Sequence, residues 1–450
     1  MTTVFEMAGV LAVLGALFVG LRWYARAKSP DPEFVRKLLH IGMGLTSLSF
    51  PWLFHEAWPV VVLAVLAGGG LFALRTVRTV RSEFGSVLHG VARESFGEFY
   101  FSIGVGGLFV ISGGDPLLYG IPVLTLTIAD AVAALIGLRY ATVRFATPDG
   151  VKSAEGSVAF FTAAFLCCLV PLLLGSDVGR LESLLIALVL AILVMLLEAI
   201  AWTGLDNLTI PLVGFALLKS FIGLDASSLY ARLAVVAVVA AFVFFQRRRT
   251  TLDDDALLAA VLIGYVLWAL GGWAWLIAPA TLFLKDKLQS TPAGPTTAPD
   301  LARRHNVQAV VSVCFPGLAW ALAAASAGQA LLFFPFSVTF GAHLAMFEAT
   351  RIRHEEPATS ALAIVSRAAA IGWVLVMLPF VAIERFSILS LEASAASLPC
   401  IALAAILFYR TQPGLDDCPR DERRWLRQAM SSVGASALAM IVLFIPGVAR

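Results

Sequence analysis

The chain has 450 residues, of which 59% are hydrophobic and 14% are charged. A soluble domain cannot place that much apolar surface in its core, so this composition excludes a soluble globular protein and predicts an integral membrane protein. The formal net charge of +2 gives no reason to expect a nucleic-acid partner. The five cysteines form no C-x-x-C pair, so neither a zinc site nor a disulfide framework is indicated.

Apolar runs of membrane-spanning length recur along the whole chain. We expect an all-α, polytopic integral membrane protein with about 14 to 16 transmembrane helices. The predicted spans start near residues 5, 38, 58, 98, 117, 158, 182, 207, 228, 256, 272, 307, 328, 361, 386 and 430. The first run has no basic segment before it, so we interpret it as a retained span and not as a signal peptide.

Lysine and arginine cluster in alternate loops, namely those after the first, third, fifth, ninth, eleventh, thirteenth and fifteenth predicted spans. Such loops face the cytoplasm in multi-pass proteins. We therefore expect these loops on the cytoplasmic side of a bacterial inner membrane or an equivalent membrane, with both chain ends on the other side.

A basic cluster precedes the second predicted span. A Ser-Pro-Asp-Pro sequence at 29–32 marks a helix start, and Arg36, Lys37 and His40 follow within about one turn of each other. These side chains could bind nucleotide phosphates. Arg36 and Lys37 could equally anchor the helix at the membrane edge, and His40 could be a hydrogen-bonding group between packed helices.

The next predicted cytoplasmic stretch contains Arg93, Glu94 and Glu98. The two acids are one helical turn apart and repel each other unless a cation lies between them, so a metal ion or an arginine partner is plausible. A solvated interfacial helix is the alternative interpretation.

The stretch from Leu117 to Phe161 concentrates the most chemistry. Asp130 lies within an apolar run of membrane length, where an ionised carboxylate costs several kcal/mol unless it has a partner. Asp130 is therefore a candidate catalytic or metal-binding acid. The alternative is a structural acid paired with Arg139 or with a neighbouring helix.

A Lys-Ser-Ala-Glu-Gly-Ser sequence opens the following apolar run and includes Lys152, Ser153, Glu155, Gly156 and Ser157. A helix start presents free N–H groups and a positive dipole end, so these residue types suit phosphate and a metal ion. Lys152 could instead be an ordinary interfacial lysine, and Glu155 could be a helix cap.

A second polar group follows the seventh span. Glu198 lies in apolar sequence, while Asp206 and Asn207 precede a run with Pro211 in its first turn. The carboxylates and the amide could bind a metal ion or a ribose, or the Asp-Asn pair could be a helix N-cap.

These motifs resemble those of the polyprenol kinase family, which includes dolichol, phytol and farnesol kinases. The resemblance covers about residues 30–223. It lies in the Asp-Ala-x-Ala-x-x-x-Gly run at 130–137, the Lys-Ser-x-x-Gly-Ser element at 152–157, the Arg-Lys-x-x-His-x-Gly run at 36–42, and the Asp-Asn-Leu-Thr-Ile-Pro-Leu string at 206–212.

The resemblance implies phosphoryl transfer to a long isoprenoid alcohol at the cytoplasmic face, with CTP as donor and Mg²⁺ or another divalent metal. Asp130, Lys152 and Glu155 would be the catalytic residues, and Asp130 with Glu198 or Asp206 would hold the metal. Asp130 or Glu155 would accept the proton of the hydroxyl. The nucleotide-binding residues would be Arg36, Lys37, His40, Arg93, Ser153, Gly156, Ser157 and Asn207.

We expect two domains, a kinase-like domain at 1–225 and a second helical membrane domain at 226–450. Residues 250–287 have a weaker resemblance to a membrane family that includes plant phytyl-phosphate kinase, but the chain lacks the Asp-Thr-x-x-Ser-Glu element downstream. His343 and Glu348 are the intramembrane candidates there, and we interpret them as packing groups. The second domain is thus predicted to have no phosphotransfer centre of its own.

Two other functions fit part of the pattern. A CTP:phosphatidate cytidylyltransferase also joins CTP to a lipid, but its late Lys-Asp, His-Gly-Gly and Asp-Arg signature is not in this sequence. A transporter would also bury acids and cations, although no inverted pairing of broken spans is visible. The sequence leaves open the identity of the alcohol, the choice between CTP, UTP and ATP, and the oligomeric state.

Overall fold

The computed structural model describes residues 2–76, 96–147, 150–246, 252–289, 305–413 and 422–443. These residues are helical almost throughout, so the all-α fold expected from the sequence is confirmed. The contacts divide the chain into two compact units, unit 1 (Met1–Val235) and unit 2 (Val236–Arg450). The division falls within a helix, ten residues beyond the boundary expected at 225.

The described residues of the first part of the chain form ten helices and one hairpin. They are α1 (Thr2–Lys28), α2 (Pro32–Leu48), α3 (Phe50–Leu53), α4 (Ala57–Thr76), α5 (Gly97–Ser112), α6 (Pro116–Leu124), a π-helical turn (Thr125–Ala129), α7 (Asp130–Tyr140), β1 (Arg144–Thr147), β2 (Gly150–Ser153), α8 (Ala154–Gly175), α9 (Arg180–Ile200) and α10 (Asp206–Phe221).

Helix α11 (Ala226–Gln246) leads from unit 1 into unit 2. The helices that follow are α12 (Asp254–Gly271), a 3₁₀ turn (Trp273–Leu276), α13 (Ile277–Gln289), α14 (Val307–Ala327), a 3₁₀ turn (Ala330–Leu332), α15 (Phe333–Glu355), α16 (Ala361–Ile383), α17 (Ile388–Thr411) and α18 (Glu422–Leu443).

Each predicted span corresponds to a helix that begins at or near the expected residue. By length and apolar composition, ten spans among the described residues can cross a membrane, and three further apolar helices are shorter. These ten long and three shorter apolar helices of the described residues agree with the polytopic fold expected from the sequence. The shorter ones, such as α5 with 16 residues, reach about 24 Å, somewhat less than the hydrocarbon thickness of about 30 Å.

The centre of unit 1 is the continuous segment Pro116–Tyr140, which contains α6, the π-helical turn and α7. It packs against α2, α8 and α10. Small residues allow these close approaches: a Cβ at Gly44 of α2 would collide with Thr127, and a Cβ at Gly156 of α8 would lie 3.1 Å from the Ala133 carbonyl oxygen. Glycine and alanine at such contacts let membrane helices pack backbone against backbone.

The polar break expected near 148–150 forms a hairpin. Strands β1 and β2 are antiparallel, with Arg144 opposite Ser153 and Phe145 opposite Lys152. Pro148 and Asp149 lie outside the described residues. Since β2 runs directly into α8, the hairpin fixes Lys152 and Ser153 at the start of that helix.

Helix α15 is the centre of unit 2 and packs against α13, α14, α16, α17 and α18. Its apolar residues Phe334, Phe336, Phe340 and Met346 are almost completely buried. The core around them consists mainly of aromatic and branched side chains and of small alanines that separate the helices.

Candidate active site

Asp130 is buried at the start of α7, with 7% of its surface exposed. Its Oδ2 accepts a hydrogen bond from the Lys37 ammonium at 2.7 Å, and the Nε2 atom of His40 lies 3.4 Å away. The acid predicted to stand in the membrane therefore has a buried cation from α2 as its partner. An ion pair inside the membrane is tolerable because each charge satisfies the other.

The local sequence explains why these groups meet. Asp31 caps α2 through the Glu33 N–H at 2.8 Å, and Pro32 occupies the first turn. Lys37 and His40 are then three residues apart on one helix face. The π-helical turn before Asp130 shifts the backbone hydrogen bonds, and the Leu126 carbonyl oxygen of that turn lies 3.0 Å from His40 Nε2. Single π-helical turns are frequent at functional sites.

Arg36 lies at the edge of the same group. Its guanidinium donates to Glu33 at 2.5 and 2.9 Å and approaches Glu98 at 3.9 Å. The arginine partner that the sequence suggested for Glu98 is therefore Arg36 from another helix. Arg93 and Glu94 lie outside the described residues, so their predicted roles stay predictions.

A second ion pair joins the hairpin to α9. The Lys152 ammonium donates to Glu198 Oε1 at 2.8 Å and also contacts the Glu198 backbone carbonyl oxygen. Both side chains are mostly buried. Lys152 therefore has a carboxylate partner in the described structure, and Glu198, predicted as a metal ligand, is that partner.

Glu155 and its neighbours organise the start of α8. Glu155 Oε1 accepts from the Thr142 and Val143 N–H groups at 3.0 and 3.1 Å, and it also contacts the Thr142 hydroxyl. Ser153 is the N-cap of α8, accepting from the Gly156 N–H at 3.1 Å. These contacts give Glu155 a structural task, which is to hold the loop that leads into the hairpin.

Ser157 and Gly156 are also engaged in local structure. The Ser157 hydroxyl donates to the Ser153 carbonyl oxygen at 3.3 Å. Gly156 lies in the close contact between α7 and α8, where a Cβ would meet the Ser153 side chain at 3.1 Å. The Lys-Ser-x-x-Gly-Ser element thus combines a lysine, a helix cap and a packing glycine in six residues.

Asp206 and Asn207 lie in the first turn of α10. Asp206 Oδ1 accepts from the Asn207 N–H and from its Nδ2, both at 3.1 Å, and Asn207 Nδ2 also donates to the Gly204 carbonyl oxygen. The N-cap position is occupied by Leu205, so the alternative of an Asp-Asn N-cap is not what the structure shows. The Asn207 Oδ1 atom is buried without a partner among the described residues.

The three predicted metal ligands do not gather into one cluster. Among the described residues, no group of three or more His, Cys, Asp or Glu side chains could hold a metal ion. Asp130 and Glu198 are instead each bound to a lysine. Asp206 and Asn207, which are adjacent in sequence, carry a carboxylate and an unpartnered amide oxygen, both hard oxygen donors. Two such donors fit Mg²⁺, which often binds one or two protein oxygens together with substrate phosphates.

Three features of this site could not be read from the motifs. The Lys37–Asp130 pair joins residues 93 positions apart, and only the spacing of Lys37 and His40 hinted at a shared face. The π-helical turn has no sequence signal. Tyr119, fully buried, donates its hydroxyl to the Ser47 carbonyl oxygen at 3.0 Å and ties the central segment to α2.

The comparisons with known proteins point the same way as the motifs. The chain is 33% identical over 204 residues to the phytol kinase of Synechocystis sp., an alignment that covers 44% of this chain and 84% of that relative. No family profile and no solved structure matches the chain. At this identity, and with most of the relative covered, the chain belongs to the polyprenol kinase family that includes phytol kinase.

Proposed function

We propose that this multi-pass membrane protein is a lipid-alcohol kinase that transfers the terminal phosphoryl group of a nucleoside triphosphate, CTP, to an isoprenoid alcohol. The observation that carries the proposal is the convergence on Asp130 of Lys37 and His40 from a distant helix. The phytol kinase relative supports the chemistry of the acceptor. The clustering of lysine and arginine in alternate loops supports a reaction at the cytoplasmic face.

In this reaction the hydroxyl oxygen of the alcohol attacks the γ-phosphorus, and the bond from that phosphorus to the bridging oxygen breaks. CDP leaves, and the hydroxyl proton passes to a carboxylate. Asp130 serves as this acceptor, while Lys37 keeps it ionised inside the apolar segment. Phosphoryl transfer depends mainly on positioning and on stabilisation of charge, so a buried and oriented carboxylate is well suited to the task.

The phosphates of the donor need cations. Lys152 would exchange part of its contact with Glu198 for a phosphate oxygen, and Arg36 would do the same at the edge of the Asp130 group. Asp206 and Asn207 would hold a Mg²⁺ that neutralises phosphate charge. Ser153 and Gly156 would hold the helix start that faces the donor, and Glu155 would keep the hairpin in place.

The assignment is tested with purified full-length protein, a panel of isoprenoid alcohols and CTP, UTP or ATP labelled at either the α or the γ phosphate. We expect label from the γ phosphate alone to reach the lipid, with CTP as the best donor. Transfer of the α label would instead identify a cytidylyltransferase. Absence of both labels from every alcohol would contradict the kinase assignment.

A further inference from the structure

Unit 2 contains an apolar cavity of about 360 Å³. Helices α11 to α15 form its walls, with Trp425 of α18 at one end. From α12 the wall consists of Ala260, Ile263 and Leu267, which lie on one face of the helix because they are three and four residues apart. The polar lining among the described residues is confined to few atoms, so water has little to bind there.

The cavity follows the length of α12. Its lining includes Leu252, just before α12, and Trp273, just after it. With 18 residues, α12 is about 27 Å long, close to the thickness of the hydrocarbon core. A lining that extends from one end of this helix to the other suits an extended chain better than a compact ligand.

The two ends of the cavity differ chemically. At the Leu252 end, the rings of His305, Phe347 and Trp425 meet with centroid distances of 5.2 to 6.5 Å. The Arg424 guanidinium lies 5.3 Å above the Trp425 ring.

Charged side chains continue beyond this end, since Glu348, next to Phe347, contacts Lys285 at 3.4 Å and Arg351 at 2.7 Å. The lining at the opposite end includes Trp273 and Leu276. The cavity is therefore apolar along its length and polar at one end.

We infer that unit 2 binds a single isoprenoid chain in this cavity, with the polar end of the ligand at the His305–Trp425 end. A cavity of about 360 Å³ is near the lower end of the roughly 300–1,000 Å³ range of small-molecule pockets, so it suits one chain better than the paired tails of a phospholipid. The choice of an isoprenoid rests on the proposed function, because unit 1 would use or make a lipid of this class.

The test uses full-length protein in lipid nanodiscs and a photoreactive isoprenoid alcohol whose crosslinks are mapped to peptides. Ala260→Phe and Ala280→Phe fill the cavity from α12 and α13, since both alanines line it. Ala370→Phe is the matched control, because Ala370 is exposed on α16. We expect crosslinks in α12 to α15 of the parent and the control, and their loss in both filled variants.

Competition separates the possible ligands. Unlabelled isoprenoid alcohol should remove the crosslinks, whereas phosphatidylglycerol at the same concentration should not. Equal crosslinking of all variants, or equal displacement by the phospholipid, would overturn the inference. If one filled variant does not fold, the other variant and the competition experiment in the parent decide whether the cavity binds the isoprenoid.

Kinase turnover is measured on the same samples to keep the two proposals apart. If unlabelled isoprenoid alcohol displaces the crosslinks but the protein transfers no phosphate, the proposed function is wrong and the cavity is still an isoprenoid site. Turnover without crosslinks in unit 2 would overturn the cavity assignment alone.

Discussion

Unit 1 and unit 2 each bury an acid in a central helix, but they surround it differently. In unit 1, Asp130 meets Lys37, which is 93 residues away in sequence and belongs to another helix. In unit 2, Glu348 meets Arg351, three residues along the same helix, and Lys285 from α13. Arg351 in turn contacts Glu355 one turn further along.

The difference matters because it separates two uses of buried charge. The charges of Glu348, Arg351, Glu355 and Lys285 neutralise one another near the end of α15. The first three lie within two turns of that helix, so local neutralisation explains this cluster. The Asp130 group collects side chains from separate helices around a π-helical turn, which packing alone does not require. His343 of unit 2 is fully buried, and neither ring nitrogen has a partner among the described residues, so no hydrogen bond there compensates the burial of its imidazole.

The largest expected effect is that of Asp130→Asn. Removal of the carboxylate should lower turnover by at least about a hundredfold if it accepts the proton. It should also destabilise unit 1 by about 3–5 kcal/mol, because the Lys37 ammonium is left buried and unpaired.

Thermal unfolding in detergent measures the stability effect, and the Lys37→Met/Asp130→Asn double variant is its control. The double variant should recover most of the lost stability, since neither charge remains. If Asp130→Asn alone unfolded at the parent temperature, the Lys37–Asp130 pair would not be the contact that the structure shows.

Lys152→Met should have the next largest effect. Loss of one charge-assisted contact to the donor should raise KM for the nucleotide. The transition state should be destabilised by about 1.5–3 kcal/mol, which lowers kcat/KM roughly ten- to a hundredfold. Glu198→Gln is the matched control, because it keeps the Lys152 cation and weakens only its protein partner. A larger loss in Glu198→Gln than in Lys152→Met would give the acid the more important role.

One close glycine contact in each unit allows loss of stability to be separated from loss of catalysis. A Cβ at Gly156 would lie 3.1 Å from the Ala133 carbonyl oxygen, and one at Gly264 of α12 would lie 3.0 Å from Val239 Cγ1. Gly156→Ala and Gly264→Ala should each destabilise the protein by about 1–3 kcal/mol through overpacking.

Only Gly156→Ala should also reduce phosphoryl transfer, because it alone adjoins the hairpin that holds Lys152. Gly120→Ala is the neutral control, since a Cβ there meets nothing within 4 Å. Equal turnover in the two destabilised variants, measured below their unfolding temperatures, would remove the link between the α7–α8 contact and catalysis.

The smallest expected effect is that of Glu155→Gln. The amide oxygen can still accept from the Thr142 and Val143 N–H groups, so the hairpin should persist. Turnover should fall by no more than a few-fold, consistent with loss of one charge-assisted hydrogen bond at an exposed site. A loss comparable to that of Asp130→Asn, measured in the same assay, would identify Glu155 as the proton acceptor.

The sequence was informative about elements and residue types. Hydrophobic periodicity placed the helices, because each apolar run is also a helix, and the motifs identified Asp130 and Lys152 as unusual charges. The partner of each charge could not be predicted, since a motif does not show which distant side chain its helix will face. The hairpin escaped prediction because Pro148, Asp149 and Gly150 are equally typical of an open loop.

Short apolar helices such as α5 have the same composition as longer spans, so composition alone does not show how far each helix reaches. The roles given to Glu198 and Glu155 depended on their being available to a ligand. In the structure Glu198 Oε1 accepts from Lys152 and Glu155 Oε1 accepts from the Thr142 N–H, whereas Glu155 Oε2 is buried without a partner among the described residues.

The most direct test removes one lysine–acid pair from each unit of the full-length protein and compares γ-phosphoryl transfer from CTP to an isoprenoid alcohol. The variants are Lys37→Met/Asp130→Asn in unit 1 and Lys285→Met/Glu348→Gln in unit 2, and both must retain the parent's unfolding cooperativity. We predict a loss of at least about a hundredfold in the first and a change of no more than a few-fold in the second. Full activity in the first variant, or abolished transfer in a folded second variant, would contradict the assignment of phosphoryl transfer to unit 1.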